Sequence, residues 1–92
     1  MLNLVVTNQF KRDLKRIRKQ GKDLSILQNI LQMLVEEKDL DAKYCDYALT
    51  GNYTGFRECH IQPDWLLIYR IENDLLVLTL TRTGSHSDLF GK

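Results

Sequence analysis

The sequence predicts an α+β fold with the element order β-α-α-β-β-β-α, in which two helices pack on one face of an antiparallel sheet and a short helix ends the chain. Three observations predict it. Apolar residues recur with helical spacing in the first part of the chain, β-rich runs alternate with turn residues in the second part, and a helix-capping pattern lies near the end. A length of 92 residues suits one domain, so residues 1–92 are expected to form a single unit.

A short strand and two helices are predicted in the first 35 residues. Alternation of side-chain character over residues 2–7 predicts the strand. Gly21 is expected to end the first helix, because glycine readily adopts the left-handed conformation that follows a helix. Asp23 is expected to cap the second by accepting its free amide hydrogens. The apolar stripes of the two helices are Phe10, Leu14 and Ile17, then Leu24, Leu27, Leu31 and Leu34.

The second half of the chain predicts a meander of antiparallel strands. Residues 37–54 show no clear period and are expected to form a long connection. Residues 56–61, 65–71 and 75–82 are rich in aromatic and β-branched side chains, and polar turns at 62–64 and 72–74 separate them. Ser85 and Asp88 have the spacing of a capping box, which predicts a short helix that ends near Gly91.

The composition is that of an ordinary globular protein. Apolar residues make up 43% and charged residues 27%, which argues against disorder. No apolar run approaches the roughly 18 residues that span a bilayer. The start of the chain lacks the basic and long apolar regions of a secretory signal. Cys45 and Cys59 form neither a disulfide framework nor a Cys-x-x-Cys motif, so a reduced, cytoplasmic protein is expected.

A net charge of +1 conceals a basic segment and an acidic segment. Residues 1–22 carry seven basic groups and one acidic group, whereas residues 23–46 carry two basic and six acidic groups. Salt screens charges beyond about 8–10 Å, so the local charge decides whether a polyanion is attracted. The first helix is therefore a candidate contact for RNA through Lys11, Lys15 and Lys19, and a merely solvated helix face is the alternative.

The two histidines of the chain carry the chemistry that the pattern favours. A cleavage of RNA needs one group to take the proton of the 2′-hydroxyl and another to protonate the 5′-oxygen that leaves. Histidine suits both roles near neutral pH, and arginine can hold the charge that develops on the phosphate oxygens. An exposed aromatic side chain can stack on a base. The candidate residues for metal-free phosphodiester cleavage are His60, Asp64, Trp65, Arg82, His86 and Phe90.

Each of these residues also has a structural interpretation. A histidine on a strand can simply be a hydrogen-bonded residue, and Trp65 and Phe90 can fill a core. A zinc site is conceivable from Cys59, His60, Asp64 and His86. Adjacent residues on a strand point to opposite faces, however, so Cys59 and His60 are poor partners for one ion.

Two C-terminal motifs resemble one protein family. Residues 55–69 read Gly-Phe-Arg-Glu-Cys-His-Ile-Gln-Pro-Asp-Trp-Leu-Leu-Ile-Tyr, and residues 81–91 read Thr-Arg-Thr-Gly-Ser-His-Ser-Asp-Leu-Phe-Gly. Together they resemble the YafQ branch of the RelE/ParE superfamily of type II toxin–antitoxin toxins, and length and element order agree. The resemblance implies a RelE-like fold and a ribosome-dependent mRNA endoribonuclease that needs no cofactor. It also implies a RelB/DinJ-like antitoxin that forms a hetero-oligomer with the toxin, which alone is expected to be a monomer.

The resemblance also implies roles for individual residues. His60 and His86 would take the acid–base and phosphate-positioning roles, in an order that the sequence leaves open. Asp64 would be the catalytic aspartate and Arg82 the arginine that contacts the phosphate. Trp65 and Phe90 would support the site and bind substrate, with Phe90 near the base. The implied products are a 2′,3′-cyclic phosphate and a 5′-hydroxyl, formed without a metal.

One position departs from the family pattern. Residues 46–49 read Asp-Tyr-Ala-Leu, where related chains have Asp-His-Pro-Leu or Asp-His-Ala-Leu. Tyr47 is therefore expected to bind substrate in place of a histidine, although a phenol with a pKa near 10 is a poorer base at pH 7.

Two other hypotheses stay open. The first is a ParE-like toxin that inhibits gyrase, although that branch generally lacks the paired histidines. The second is an inactive partner of the antitoxin.

Overall fold

The computed structural model describes residues 1–91 and contains the predicted α+β fold. Every predicted helix and strand is present, within a few residues of its expected position. A two-residue strand and two single 3₁₀ turns, Ala42–Tyr44 and Gly51–Tyr53, lie within the predicted connection 37–54. The elements are β1 (Asn3–Val6), α1 (Asn8–Lys19), α2 (Leu24–Val35), β2 (Tyr47–Ala48), β3 (Arg57–Gln62), β4 (Trp65–Glu72), β5 (Val77–Gly84) and α3 (His86–Phe90).

The five strands form one sheet in the order β1-β5-β4-β3-β2. The pairs β2–β3, β3–β4 and β4–β5 are antiparallel, as predicted for the meander. β1 instead runs parallel to β5, with Asn3 opposite Val77 and Val6 opposite Leu80. The prediction of a wholly antiparallel sheet was wrong at this edge. Alternation along one strand fixes which face each side chain occupies, but it does not fix the direction of the neighbouring strand.

Local capping residues mark the helix boundaries. Thr7 accepts the amide hydrogen of Phe10 at the start of α1, and Asp23 accepts that of Ser25 at the start of α2. Gly21 has φ of +75°, the left-handed conformation expected after α1. Ser85 and Asp88 form the predicted capping box of α3. The local sequence therefore sets where these three helices begin.

The sheet has two differently covered faces. Helices α1 and α2 cover the first, here called the helix face, through buried residues such as Phe10, Ile17, Ile30 and Leu34. The short helix α3 covers part of the second, here called the α3 face, where Leu89 packs against β4. β4 is buried on both sides because it lies in the middle of the sheet. Among residues 1–91, no helix is both long enough and apolar enough to cross a bilayer.

Candidate active site

The pairing of the strands places several polar side chains on the α3 face. Tyr47 lies opposite Glu58, Glu58 opposite Ile68, and Ile68 opposite Arg82. Residues paired across strands point to the same side of a sheet, so this row lies on the same face as Ile68, which packs with Leu89. His60 is two residues from Glu58 on β3 and therefore shares that face.

His86 lies beside His60, although it comes from the short C-terminal helix. It is the first residue of α3, and Asp64 in the β3–β4 turn holds it twice. The Asp64 Oδ1 atom accepts the backbone N–H of His86 at 3.1 Å and lies 2.9 Å from its Nδ1 atom. The His60 and His86 rings then meet edge to face, with centroids 5.8 Å apart. The structure therefore brings together the two histidines and the aspartate that the sequence singled out.

Each histidine is oriented by its own carboxylate. Hydrogen bonds from the side chain and backbone of His86 lower the pKa of Asp64, so this group is ionised at neutral pH. An ionised carboxylate only accepts hydrogen bonds, so the proton of neutral His86 is on Nδ1 and the lone pair is on Nε2. For His60, Nε2 lies 3.2 Å from Glu58 Oε1. If this oxygen accepts the Nε2–H, the lone pair of His60 is on Nδ1.

Glu58 is a site residue that the sequence pattern had not indicated. Its side chain is 2% exposed, and its Oε1 atom accepts the Tyr47 hydroxyl at 2.6 Å while it faces His60. One signal in the sequence could have revealed it. A carboxylate two residues before a histidine on a strand must share its face, and Glu58 has that spacing from His60.

Tyr47 lies beside His60 but uses its hydroxyl within the protein. The hydrogen bond to Glu58, together with partial burial and the negative charge of Glu58, raises the pKa of Tyr47 to about 12. The phenol therefore stays protonated near neutral pH and orients Glu58. Its ring is half-exposed, with its centroid 6.3 Å from that of His60. Direct binding of substrate by Tyr47 stays a prediction that concerns the ring.

An aromatic wall borders the histidine pair. The Phe90 ring is 36% exposed and lies 6.4 Å from the His86 ring, measured between centroids. Tyr53 meets both Phe90 and Phe56 edge to face, at 5.8 and 6.1 Å. The predicted position of Phe90 next to the site is thus observed, and its exposed ring is available to stack on a base.

Arg82 is on the site-bearing face but is tied to helix α1. Its Nε and Nη2 atoms donate to the two carboxylate oxygens of Asp13 at 2.8 and 3.2 Å. The Arg82 side chain is 23% exposed, whereas Asp13 is fully buried. The guanidinium is therefore a fixed positive charge with part of its surface open to a ligand.

Trp65 has no side-chain surface open to a substrate, which contradicts its predicted role in binding substrate. Its side chain is fully buried in the core on the helix face. Its Nε1–H donates to Thr83 Oγ1 at 2.9 Å, and the Thr83 hydroxyl donates to the Leu66 carbonyl at 2.7 Å. Strand β4 is buried on both faces, so its sequence pattern did not show which way Trp65 points. Trp65 instead fixes the start of β4 to the end of β5.

The predicted lysines lie away from the histidine pair. Lys11, Lys15 and Lys19 are exposed along α1, which packs on the opposite side of the sheet. They therefore form a separate basic surface. This surface is available to a large polyanion that extends past the sheet, and the structure does not bring it into contact with the two rings.

Metal-binding side chains also meet at the site, in a different set from the one the sequence suggested. Glu58, His60 and His86 offer ligand atoms that all lie within 4.8 Å of one another. Cys59 is buried on the helix face, where burial raises the pKa of its thiol to about 12. It therefore cannot complete the conceivable set with His60. Both histidines could serve as ligands, with Glu58 as the oxygen donor.

Comparisons with known proteins agree with this arrangement. Residues 2–91 match the family model described as "Bacterial toxin of type II toxin-antitoxin system, YafQ". The chain belongs to the YafQ family. It is 37% identical over 86 residues to the mRNA interferase toxin YafQ of Escherichia coli strain K12, covering 92% of this chain and 91% of that relative. The family prediction, and with it the toxin class, is confirmed.

Solved structures of similar chains have the same fold. The E. coli DinJ–YafQ complex contains a chain that is 34% identical and has a TM-score of 0.91, covering 99% of this chain and 100% of that one. A metal-bound toxin from Helicobacter pylori is 43% identical with a TM-score of 0.92, covering 98% of this chain and 100% of that one. These YafQ-like structures confirm the α+β architecture.

Proposed function

We propose that this YafQ-family chain is an mRNA interferase that cuts message on the ribosome by attack of a ribose 2′-hydroxyl on the adjacent phosphate. The observation that carries the proposal is the pair of imidazole rings, 5.8 Å apart, each held by its own carboxylate. This arrangement supplies two acid–base groups to one phosphodiester. The family membership and the name of the E. coli relative support the same activity.

The proposed reaction needs one proton removed and one proton added. One histidine takes the proton of the 2′-hydroxyl through its lone-pair nitrogen, Nδ1 of His60 or Nε2 of His86. The 2′-oxygen then bonds to phosphorus, and the bond from phosphorus to the 5′-oxygen breaks. The other histidine, protonated, gives its proton to the leaving 5′-oxygen. The products are a 2′,3′-cyclic phosphate and a 5′-hydroxyl, and the pair ends with its protons exchanged.

Four neighbouring side chains support these steps. Arg82 carries a permanent charge on the same face and would stabilise the phosphate oxygens as negative charge builds up. Asp64 and Glu58 would stabilise the imidazolium form of the ring that each one faces. The exposed Phe90 ring would stack on a base next to the cut bond, which contributes about 1–3 kcal/mol in other proteins that bind single strands.

Ribosome dependence is assigned to the basic surface on α1. Lys11, Lys15 and Lys19 are exposed together, and rRNA phosphates are the polyanion that they would contact. A cognate antitoxin would bind this chain in the cytoplasm and neutralise it. The support is that the E. coli relative is found in a complex with DinJ.

We also infer that a transition-metal ion can occupy the histidine pair and block it. Two similar toxins from H. pylori are described as metal-bound and, in an L66S mutant, as copper-bound. Here Glu58, His60 and His86 offer a carboxylate oxygen and two imidazole nitrogens within 4.8 Å. A metal bound to both rings would take the lone pairs that the proton transfers need. The metal would therefore act as an inhibitor of the proposed reaction.

The test is primer extension on a reporter mRNA in a reconstituted translation system. Wild type, His60→Ala, His86→Ala and a reaction without ribosomes are compared, with circular dichroism to show that each variant is folded. We expect cuts at defined positions that disappear in both variants and without ribosomes. Intact message with wild-type protein would contradict the proposal. A supercoiling assay would then show whether the chain inhibits gyrase, and binding to the antitoxin alone would indicate an inactive partner.

A further inference from the structure

Side chains of α1 and of Thr7, the residue that caps it, complete the edge of β5 where its neighbouring strand ends. β1 pairs with β5 only as far as Leu80. Beyond that point the Thr7 hydroxyl donates to the Thr81 carbonyl at 2.9 Å, and Arg16 Nη2 donates to the Thr83 carbonyl at 3.1 Å. Asp13 accepts the Thr83 N–H at 3.2 Å. The helix therefore supplies the hydrogen bonds that a longer β1 would have made.

Asp13 is the centre of this contact. It is fully buried, and its carboxylate accepts hydrogen bonds from Gln9, Arg16 and Thr83 in addition to the two from Arg82. Burial opposes ionisation, but the hydrogen bonds from Arg82, Gln9 and the Thr83 backbone outweigh it and lower the pKa of Asp13. The group is therefore a buried anion with five donors. The buried ion pair of Asp13 with Arg82 is weak evidence of a role in stability, because apolar residues often replace buried ion pairs without loss of stability.

The position of the pair relative to the site points to another role. Arg82 lies in the cross-strand row of Glu58, two strands away, so their backbones are separated by about 10 Å. The two-point contact with Asp13 fixes the plane of the Arg82 guanidinium. Asp13 also holds the Thr83 backbone, three residues before His86. One buried carboxylate thus sets the Arg82 side chain and the strand end that leads to the second histidine.

We propose that Asp13 is a positioning residue for the RNA-cleavage reaction, which holds Arg82 where it meets the scissile phosphate. This inference rests on the proposed function. Two donors of Arg82 are committed to Asp13, and the side chain keeps 23% of its surface exposed for a ligand. A charge group that is fixed before the reaction needs no rearrangement as the negative charge develops. Loss of Asp13 should therefore slow the chemical step more than it weakens ribosome binding.

The test is a double-mutant cycle on single-turnover cleavage by the full chain. The variants are Asp13→Asn, Arg82→Ala and their combination, and rates are corrected for the folded fraction. We expect Asp13→Asn to lower the maximal rate by about 10–100-fold, because a displacement near 1 Å can cost as much. The toxin concentration for half-maximal rate should stay the same. Asp13→Asn should cost much less in the Arg82→Ala background, where only its hydrogen bond to the Thr83 backbone can still be weakened.

A matched control is Asp23→Asn, since Asn and Asp cap helices about equally well and this site is exposed. Equal rate losses from Asp13→Asn in both backgrounds would overturn the inference, as would an unchanged or faster rate in the single variant. His86→Ala separates the two proposals. If His86→Ala is inactive while Asp13→Asn is fully active, only the positioning role fails. If His86→Ala is active, the proposed function fails.

A second measurement needs no variant and covers the case in which Asp13→Asn does not fold. Hydrogen exchange of the arginine Nε–H groups is followed by NMR on the wild-type protein, with the exposed Arg18 as the internal reference. We expect the Arg82 Nε–H to exchange at least tenfold more slowly than that of Arg18. Equal exchange rates would show that Asp13 does not hold the guanidinium, and would overturn the inference.

Discussion

Replacing Glu58 with glutamine tests whether the buried carboxylate orients His60. Glu58 Oε1 accepts the Tyr47 hydroxyl at 2.6 Å and faces His60 Nε2 at 3.2 Å. Glutamine keeps the shape and one carbonyl oxygen, but it loses the charge and half of the accepting capacity. An amide can accept the Nε2–H of one His60 tautomer through its oxygen or donate to Nε2 of the other tautomer through its NH2 group, so the lone pair is no longer fixed on Nδ1.

The expected cost in stability is small. A hydrogen bond to a charged group contributes about 1.5–3 kcal/mol, and the amide oxygen of glutamine can still accept both hydrogen bonds in their weaker, neutral form. Tyr47 is half-exposed and can donate to water instead. The free energy of unfolding should therefore fall by about 1–2 kcal/mol, a decrease in Tm of about 4–8 °C for each kcal/mol in a domain of this size. Nearly all of the protein should remain folded at 25 °C.

The expected cost in activity is much larger. Removing the carboxylate that orients a catalytic histidine costs about 10⁴-fold in serine proteases, and general acid–base catalysis contributes about 10²–10⁴-fold. We expect Glu58→Gln to slow single-turnover cleavage by at least about 10²-fold. The control is Glu72→Gln, a half-buried strand residue whose nearest cation, Arg70, is 3.9 Å away. A lower Tm with an unchanged cleavage rate would show that Glu58 is only structural and would refute the reasoning.

Four further predictions test separate parts of the account. A leaving 5′-sulfur needs little protonation, so a substrate with sulfur in place of the 5′-oxygen should be cleaved even without the catalytic acid. It should therefore restore cleavage to only one of His60→Ala and His86→Ala, the variant that lacks the acid. Rescue of both variants or of neither would contradict a division of roles. Zn²⁺ should inhibit cleavage, EDTA added before the ribosomes should reverse the inhibition, and Glu58→Gln should weaken it; metal-stimulated cleavage would contradict inhibition. Changing Lys11, Lys15 and Lys19 to Glu should weaken ribosome binding in sedimentation assays and make the binding less dependent on salt. Unchanged binding across a salt series would contradict the RNA contact. Folding lowers the pKa of Asp13, so the ionised carboxylate contributes to stability above its unfolded pKa of 3.8, and this contribution is lost as the pH falls below that value. The free energy of urea unfolding between pH 2.5 and 5 should therefore depend less on pH in Asp13→Asn than in the wild type. Equal pH dependence of the two proteins would contradict this.

The parts of the fold that depend on local interactions could be predicted from the sequence. The apolar stripe of Phe10, Leu14 and Ile17 is packed as expected, and Gly21 and Asp23 mark the turn between the helices. These features depend on residues within one or two turns of each other. The parallel pairing of β1 with β5 joins residues more than 70 positions apart, and alternation within one strand carries no information about it.

The candidate site divides in the same way. The motif residues His60, Asp64 and His86 were found because few residue types perform acid–base chemistry at neutral pH. Asp13 was not found, since its partner Arg82 is 69 residues away and a single aspartate on a basic helix has no local signature. The direction of the Trp65 side chain could not be predicted, because a strand buried on both faces has no polar alternation.

The most direct test of the central claim is cleavage of a message that carries one 2′-deoxynucleotide at the mapped cut position. If the 2′-hydroxyl attacks the phosphate, this substitution should abolish cutting at that position. With the unmodified message, mass spectrometry should find a 2′,3′-cyclic phosphate at the 3′ end of the upstream fragment. The control is a message with its 2′-deoxynucleotide one codon away, which should be cut normally at the mapped position. Cleavage at the deoxy position at the normal rate would show that another nucleophile is used and would contradict the account.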